Sequence, residues 1–500
     1  MGTSTTTSTR LRLASMVTPR AGGVLTGVVA LMIAALVAMG IGREPLHLGF
    51  QTSGDSRLAD RVRTILGADG TNRSTAGYHG LAVMTVANGQ SRWAGVGNRG
   101  DGMAPTNTTM FEIGSITKLF TGLMLADAVN RGEVQLQDRL GQYLPQLAGT
   151  QAGGVTLEEL ATHRSGLPSY ADQAASQGYE GSGDADVETI TQDDVITEAA
   201  GLALTQEGTY AYSNLGFALL GYALAKAAGA PSWTGLVTER VLKPAGMLHT
   251  IFVPNADDVP DSAAVGSLAD GSEARYSVGP SYYPAGTATF STLDDLASFA
   301  KWVMGGRVIG AWAMTPRYAI SSTDEIGLGW VISTSTGSVS VWHNGSVPGF
   351  SSVLRIDMTR HRAVIVLGNS DASVDPLGAK LLQPRAPVAA LGASGQVAGL
   401  AALACVVGVW LVLMAARARR RVIGFLVAAA AQAGLVLAVA LLPWQNLPGW
   451  SWALASGSVC AATILGIDRG YRSPRRLILP VVAGLLAAVA FYGLTVWLAG

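Results

Sequence analysis

The chain has five lysines, Lys118, Lys226, Lys243, Lys301 and Lys380, and two of them follow a serine by three residues: Ser115–Lys118 and Ser298–Lys301. A serine hydroxyl is a weak nucleophile until a base takes its proton, and a lysine desolvated beside it loses proton affinity and can serve as that base. Two copies in one chain show how little the pattern says alone, so context has to separate them. Ser298 falls within a helix opened by Ser291 or Thr292, whose apolar positions 293, 296, 297, 300, 303 and 304 recur at helical spacing. Ser298 and Lys301 then share the other, solvated face with Asp294 and Asp295. Ser115 instead follows Gly114 at the expected start of a helix through Leu119, Leu123, Leu125 and Ala126 to the Arg131-Gly132 stop. A helix start favours developing negative charge, and the i, i+3 spacing puts Lys118 on the same face one turn along.

Tyr212-Ser213-Asn214 precedes an apolar helix, Leu215–Ala227. In extended chain Tyr212 and Asn214 project to one side, where a phenol can shuttle a proton and an amide can hold a lysine and a substrate carbonyl. His343-Asn344-Gly345 ends an expected strand. Gly345 there would let a substrate approach the backbone, and the Ser346 N–H would pair with that of Ser115 as an oxyanion hole. A lone Tyr-x-Asn or a lone strand-end histidine is usually structural.

Taken in order, Ser-x-x-Lys, Tyr-x-Asn and His-x-Gly resemble the serine β-lactamase and penicillin-binding-protein-like superfamily, in its class C branch. The flanking sequence carries the same resemblance: Phe111-Glu112-Ile113-Gly114, Thr162-His163-Arg164-Ser165-Gly166-Leu167-Pro168, Pro284-Ala285-Gly286 before Ser291-Thr292, and Gly327-Leu328-Gly329-Trp330. It spans about residues 75–370. The resemblance implies an antiparallel sheet with helices on its faces plus a helical subdomain, and an acyl-enzyme on Ser115. Lys118 and Tyr212 would handle protons, Asn214 would orient and His343 would complete the catalytic set, with no metal or organic cofactor. The chain departs from the Lys-Thr-Gly of many β-lactamases and D,D-peptidases at His343-Asn344-Gly345. A histidine near its ordinary pKa of ~6.5 is largely neutral at pH 7 and is no fixed partner for a substrate carboxylate. Relatives with histidine here include esterases, D-amino-acid amidases and penicillin-binding-protein-like hydrolases, so serine acyl transfer is expected and efficient β-lactam hydrolysis is not.

These residues need elements to position them. His79–Val86 and Ser91–Gly97 around Asn88-Gly89 read as a β-hairpin, because both turn positions tolerate φ > 0. The middle, about 155–305, reads as helices broken by polar loops, one of which, Ser169–Asp194, is rich in Gly, Ser and acids. Strand signals return at Gly327–Ser333, Val339–His343, Ser351–Asp357 and Ala363–Gly368. Strands at both ends with helices between them predict an α+β domain whose one antiparallel sheet joins its two termini.

A mean hydropathy of +0.33 with 14% charged residues is high for a soluble protein, and the excess sits at the ends. Val24–Ile41 and then Val397–Ala416, Val422–Leu442, Trp450–Ile467 and Leu477–Leu498 are apolar runs long enough to cross ~30 Å of hydrocarbon. Arg10, Arg12 and Arg20, then Arg417 and Arg419–Arg421, then Arg469, Arg472, Arg475 and Arg476 all fall on one side if the N-terminus is cytoplasmic and five helices span. The expected order is a tail and anchor over 1–42, a linker over 43–74, a catalytic domain over 75–370, a linker over 371–396 and a four-helix membrane region over 397–500. A cleaved signal peptide at Ala38-Met39-Gly40 is the rival for the first run, and it leaves the domain outside either way.

Residues 43–390 hold 23 basic and 33 acidic side chains, a formal net charge of −10, which argues against nucleic acid as partner. Both cysteines, Cys405 and Cys460, lie in apolar runs, so the ~350-residue outer domain relies on its core rather than on disulfides. The expected partners are a small-molecule or peptide substrate and the lipid membrane. Two other function classes stand beside the hydrolase. A pseudoenzyme that binds peptide or peptidoglycan sits poorly with four intact polar residues. A transporter built from the C-terminal runs sits poorly with spans that hold no Asp, Glu, Lys, Arg or His.

Overall fold

Asn88 (φ 52°) and Gly89 (φ 76°) both adopt the left-handed conformation, closing the turn between strands β2 (Gly80–Ala87) and β3 (Gln90–Gly97). The computed structural model describes residues 46–67, 77–171, 187–268, 271, 273–306, 308–335 and 338–383. They fall within one unit, Leu46–Leu391. The five apolar runs lie outside the described residues, among which no helix is long and apolar enough to cross a membrane.

The hairpin, with β1 (Thr52–Gly54), is the N-terminal part of a nine-stranded sheet of order β1-β3-β2-β12-β11-β10-β9-β8-β7, antiparallel throughout. The other part comes from the C-terminal side: β7 (Tyr318–Ala319), β8 (Asp324–Ile326), β9 (Val331–Ser335), β10 (Ser338–Val347), β11 (Phe350–Asp357) and β12 (Arg362–Gly368). The two parts meet where β12 pairs with β2, from Gly368 opposite Leu81 to Arg362 opposite Ala87. The expected closure of the sheet by both ends of the domain is therefore observed.

Alternation along the strands builds two cores. Leu81, Val83, Val353, Val364 and Val366 face one side, covered by helices α1 (Ser56–Leu66) and, at the far end of the domain, Asp375–Leu382. Ala82, Met84, Leu354, Ile356, Ala363 and Ile365 face the larger core, with the helical residues of the middle segment. Two helices of that segment position the site: α2 (Thr117–Asn130) and α3 (Asn214–Ala227), both almost wholly buried. A third, α4 (Leu293–Met304), packs on β2 and β12. A small sheet of order β4 (Phe111–Glu112), β6 (Thr289–Ser291), β5 (Ile251–Phe252) sits beside them.

The structure corrects several boundaries. Residues 43–74, expected as a linker, supply β1 (Thr52–Gly54), paired with β3, and the amphipathic α1, which is capped by Asp55 and buries Leu58, Ala59, Val62 and Leu66. Residues 371–396, also expected as a linker, supply the sheet-packing helix Asp375–Leu382, here α5. Gly327–Trp330 is not strand: Gly122 on α2 faces the Leu328 carbonyl so closely that a Cβ would collide, and Gly329 (φ 73°) touches the Lys118 carbonyl. That segment is a wedge against the lysine-bearing helix. The Ser169–Asp194 loop lies mostly outside the described residues, and its end is already helix, since Thr191 and Asp194 form a capping box for Gln192–Ala200.

Candidate active site

Three glycines shape the turn that carries Ser115. Residues Gly114–Ile116 form a 3-10 turn running straight into α2, and Gly114 enters it at φ 55°. A side chain on Gly345 of β10 would collide with the Ile113 carbonyl oxygen, and one on Gly286 (φ 112°) with the Gly114 carbonyl oxygen. Ser352 on β11 donates to the Ile113 carbonyl at 2.7 Å. The backbone leading into Ser115 is thus clamped between the sheet and the Pro284-Ala285-Gly286 loop. Gly345, expected to make room for substrate, makes room for the turn that bears the serine.

Lys118 is fully buried one turn along, as the i, i+3 spacing predicts. Its Nζ lies 2.9 Å from Ser115 Oγ, 2.7 Å from Asn214 Oδ1 and 2.5 Å from the Ala285 carbonyl. Burial holds its pKa well below the ordinary lysine range. The neutral amine fits this surrounding. It has two N–H bonds for the two oxygens that only accept, and one lone pair for the hydroxyl of Ser115.

Tyr212 OH stands 2.6 Å from Ser115 Oγ. Burial raises its pKa above the ordinary phenol value, so it stays a donor at neutral pH. Ser115 Oγ accepts from the phenol, and with Lys118 neutral its own proton is free to be donated to Nζ. The tyrosine as a whole is 38% exposed although its hydroxyl is desolvated, and its ring centroid lies 4.8 Å from Lys118 Nζ. Asn214 opens α3 behind Ser213, whose Oγ caps the helix at Gly216 N (2.9 Å) and donates to the Pro168 carbonyl at 2.6 Å.

His163 was named in a flanking motif but given no role; the structure places it directly behind Tyr212. Its carbonyl accepts from Ala211 N at 2.8 Å and its Nδ1 accepts from Ser213 N at 3.1 Å. Its ring lies on that of Tyr212 with centroids 4.3 Å apart. Because Nδ1 accepts, the proton is on Nε2, which is buried without a hydrogen-bond partner among the described residues. Glu112 was likewise unassigned. It is buried at the end of β4, accepts from Ala288 N at 2.7 Å, and is pushed up to about 8 by desolvation. Together with Thr121, which donates to the Pro284 carbonyl at 2.8 Å, it seats the loop whose Ala285 carbonyl meets Lys118.

His343 is buried on β10, with Nδ1 2.6 Å from the Asn344 carbonyl; burial above all, and the Lys118 charge whenever that amine is protonated, bring its pKa down to about 3. It is a neutral imidazole, as its departure from lysine suggested. Ser115, Tyr212, Asn214, His343 and Ser346 together line a cavity of about 370 Å³, and a second of about 330 Å³ shares Asn214 and Ser346. The competing pair lies elsewhere: Lys301 is exposed on α4 and Ser298 half-buried. Asp295, expected on that solvated face, is instead buried and accepts from His249 N and Thr250 Oγ1, both at 2.8 Å.

Comparison with known proteins places the chain in a family. The family model described as Beta-lactamase matches residues 58–383, including α5 and all but the first two residues of α1, which the motif-based boundaries left out. The protein PbpX of Bacillus subtilis (strain 168), named as a penicillin-binding protein, is 27% identical over 321 residues, 61% of this chain and 75% of its own. The D-alanyl-D-alanine-carboxypeptidase/endopeptidase AmpH of Escherichia coli (strain K12) is 33% identical over 187 residues, 36% of this chain and 47% of AmpH. Among solved structures, the octameric penicillin-binding protein homologue from Pyrococcus abyssi superposes with a TM-score of 0.57 at 24% identity, over 65% of this chain and 76% of that one. A class C β-lactamase from Rhodobacter sphaeroides gives 0.52 at 21%, over 63% and 94%, and these two likenesses speak to fold alone. With the α+β fold, the serine–lysine–tyrosine cluster and a family match across most of the described residues, the chain belongs to the Beta-lactamase family of serine hydrolases.

Proposed function

We propose that the protein is a membrane-anchored, extracytoplasmic hydrolase that cleaves an ester or amide through an acyl-enzyme on Ser115. D-Amino-acid peptides of the cell wall are the peptide class to test first. The observation that carries this reading is the position of Ser115 Oγ, 2.9 Å from the Lys118 amine and 2.6 Å from the Tyr212 hydroxyl. The buried amine takes the Ser115 proton as Oγ attacks the carbonyl carbon, and Tyr212 relays a proton to the departing group. The Ser115 and Ser346 N–H groups receive the developing oxyanion, and Asn214 holds the amine in line. Water then attacks the acyl-enzyme by the same proton path in reverse. His343, neutral beside this path, offers no cation to a substrate carboxylate, so carboxylate-bearing β-lactams are poor substrates in this reading.

Anchoring is supported by the five apolar runs and by the three arginine clusters that one topology places on the same side. The test of activity is turnover of p-nitrophenyl acetate and of D-Ala-D-Ala peptides by the full chain in detergent. Hydrolysis lost in Ser115→Ala supports the reading; folded protein with no Ser115-dependent turnover of either class contradicts it. Protease added to intact cells should remove the catalytic domain, and full protection would contradict the outward topology.

A further inference from the structure

Asn214 and Ser346 line both the cavity that Ser115 lines and the second cavity, so the two stand side by side as a larger and a smaller lobe. Their charged lining is one-sided. Among the described residues, the larger lobe has Asp324 and the smaller has Asp371, and neither is lined by a lysine or arginine. Lys118 lies buried beneath the serine rather than in the lining, and His343 carries no charge. Two arginines stand near without lining either lobe: Arg355 lies 3.7 Å from the Trp342 ring centroid, where Asp375 and Asp324 both attract its charge, and Arg164 lies 4.0 Å from the ring centroid of Tyr318.

Asp324 is held in place. It sits on β8, the short strand beside β9, and accepts from Ser321 Oγ at 3.0 Å, from Thr323 Oγ1 at 3.2 Å and from Ser333 Oγ. The Ser333 hydroxyl in turn accepts from Trp342 Nε1 at 2.7 Å, so the indole that lines the lobe is tied to the carboxylate. A carboxylate offers about four lone-pair sites, and three hydroxyls leave room for a further donor. A fixed negative charge beside aromatic walls favours a cation and penalises an anion that must leave water to enter.

We propose that Asp324 is a specificity-determining residue that makes the cleft select substrates bearing an ammonium group and disfavour those that would place a carboxylate in the same lobe. This rests on Ser115 being the acylated nucleophile. It goes further by assigning a charge to the group that fills the larger lobe.

The experiment is competition against fluorophosphonate labelling of Ser115 in the full chain in detergent. Three competitors differ only at one end: D-alanyl-D-alaninamide with its free ammonium, the N-acetyl form and the N-succinyl form. The ammonium compound should halve the labelling rate at a concentration about tenfold below the N-acetyl compound, the worth of one charge-assisted hydrogen bond, with the succinyl compound weakest. Asp324→Asn should compress that tenfold ratio toward one, and raised salt should compress it in the wild type, which gives a reading even if the variant folds poorly. Equal competition by all three, none by any, a succinyl compound that competes best, or a ratio that survives both Asp324→Asn and salt would overturn the proposal. Failure of the underlying reading looks different: no labelling of wild type, or labelling that persists in Ser115→Ala.

Discussion

His163 holds Tyr212 from both sides of the chain: its carbonyl takes the amide of the residue before, its ring Nδ1 the amide of the residue after, and its ring supports the phenol at 4.3 Å. The phenol must stay within hydrogen-bond reach of Ser115, and a displacement of about 1 Å at such a site costs roughly 10²-fold in rate. His163→Leu, which removes the ring acceptor and the stack, should lower kcat by ~10- to 100-fold with a smaller change in KM. His163→Asn offers an acceptor and tolerates the left-handed backbone at φ 56°, so it should recover part of the loss. Equal kinetics for both variants, or a loss confined to KM, would argue that His163 only packs.

Lys118 is read as a base, and a base must be able to lose its proton. Lys118→Arg preserves charge and reach but stays protonated at every accessible pH. Its kcat/KM on p-nitrophenyl acetate should fall by ~10³ or more, close to Ser115→Ala, and Tyr212→Phe should fall by ~10². An arginine variant with near-native activity would mean that position 118 contributes positive charge and not proton transfer.

Glu112 makes stability depend on pH. Its folded pKa is about 8 against an ordinary 4.5, so between these values the folded chain keeps a proton that the unfolded chain has lost. The folded state binds more protons, and stability therefore falls as pH rises through this window, by at most ~1.4 kcal/mol per pH unit for one group. Glu112→Gln keeps an oxygen for the Ala288 amide and removes the titration. Urea melts between pH 5 and 8 should give a flatter curve for the variant, and parallel curves would contradict a buried, protonated Glu112.

The clamp on the Ser115 turn predicts a contrast among glycines. Gly286→Ala combines a left-handed backbone with a collision against Gly114, and should cost about 2–5 kcal/mol and most of the activity. Gly229→Ala also has a positive φ, 64° against the 112° of Gly286, but open space around it, and should cost ~1 kcal/mol with activity retained. Similar losses for both would show that backbone conformation, and not contact with the serine turn, sets the penalty.

The sequence made the chemistry more legible than the edges of the domain. Ser115, Lys118, Tyr212 and Asn214 stood out because residue type, spacing and helix starts are local signals, and the structure brings all four within hydrogen-bond reach. Helix α1 carries a local signal too, Asp55 before apolar residues at helical spacing, which the expectation of a linker over 43–74 passes over. Asp295 sat on the apparent polar face of α4 and is buried because His249 and Thr250 approach it from a distant segment, a tertiary fact with no trace in periodicity. Gly345 was visible as a glycine, but its neighbour Ile113 lies more than two hundred positions away, so its reason could not be read along the chain. His163 and Glu112 act through Tyr212 and Ala285, and only the folded arrangement shows those contacts.

The most direct measurement is the rate of fluorophosphonate labelling against pH, with the adduct mapped by mass spectrometry. The account predicts a single adduct on Ser115, absent in Ser115→Ala, formed at a rate that falls on the acid side as Lys118 takes up a proton. The midpoint should lie well below the ordinary lysine value of 10.5, because burial favours the neutral amine. An adduct on another residue, or a rate that keeps rising until pH 10.5, would contradict it.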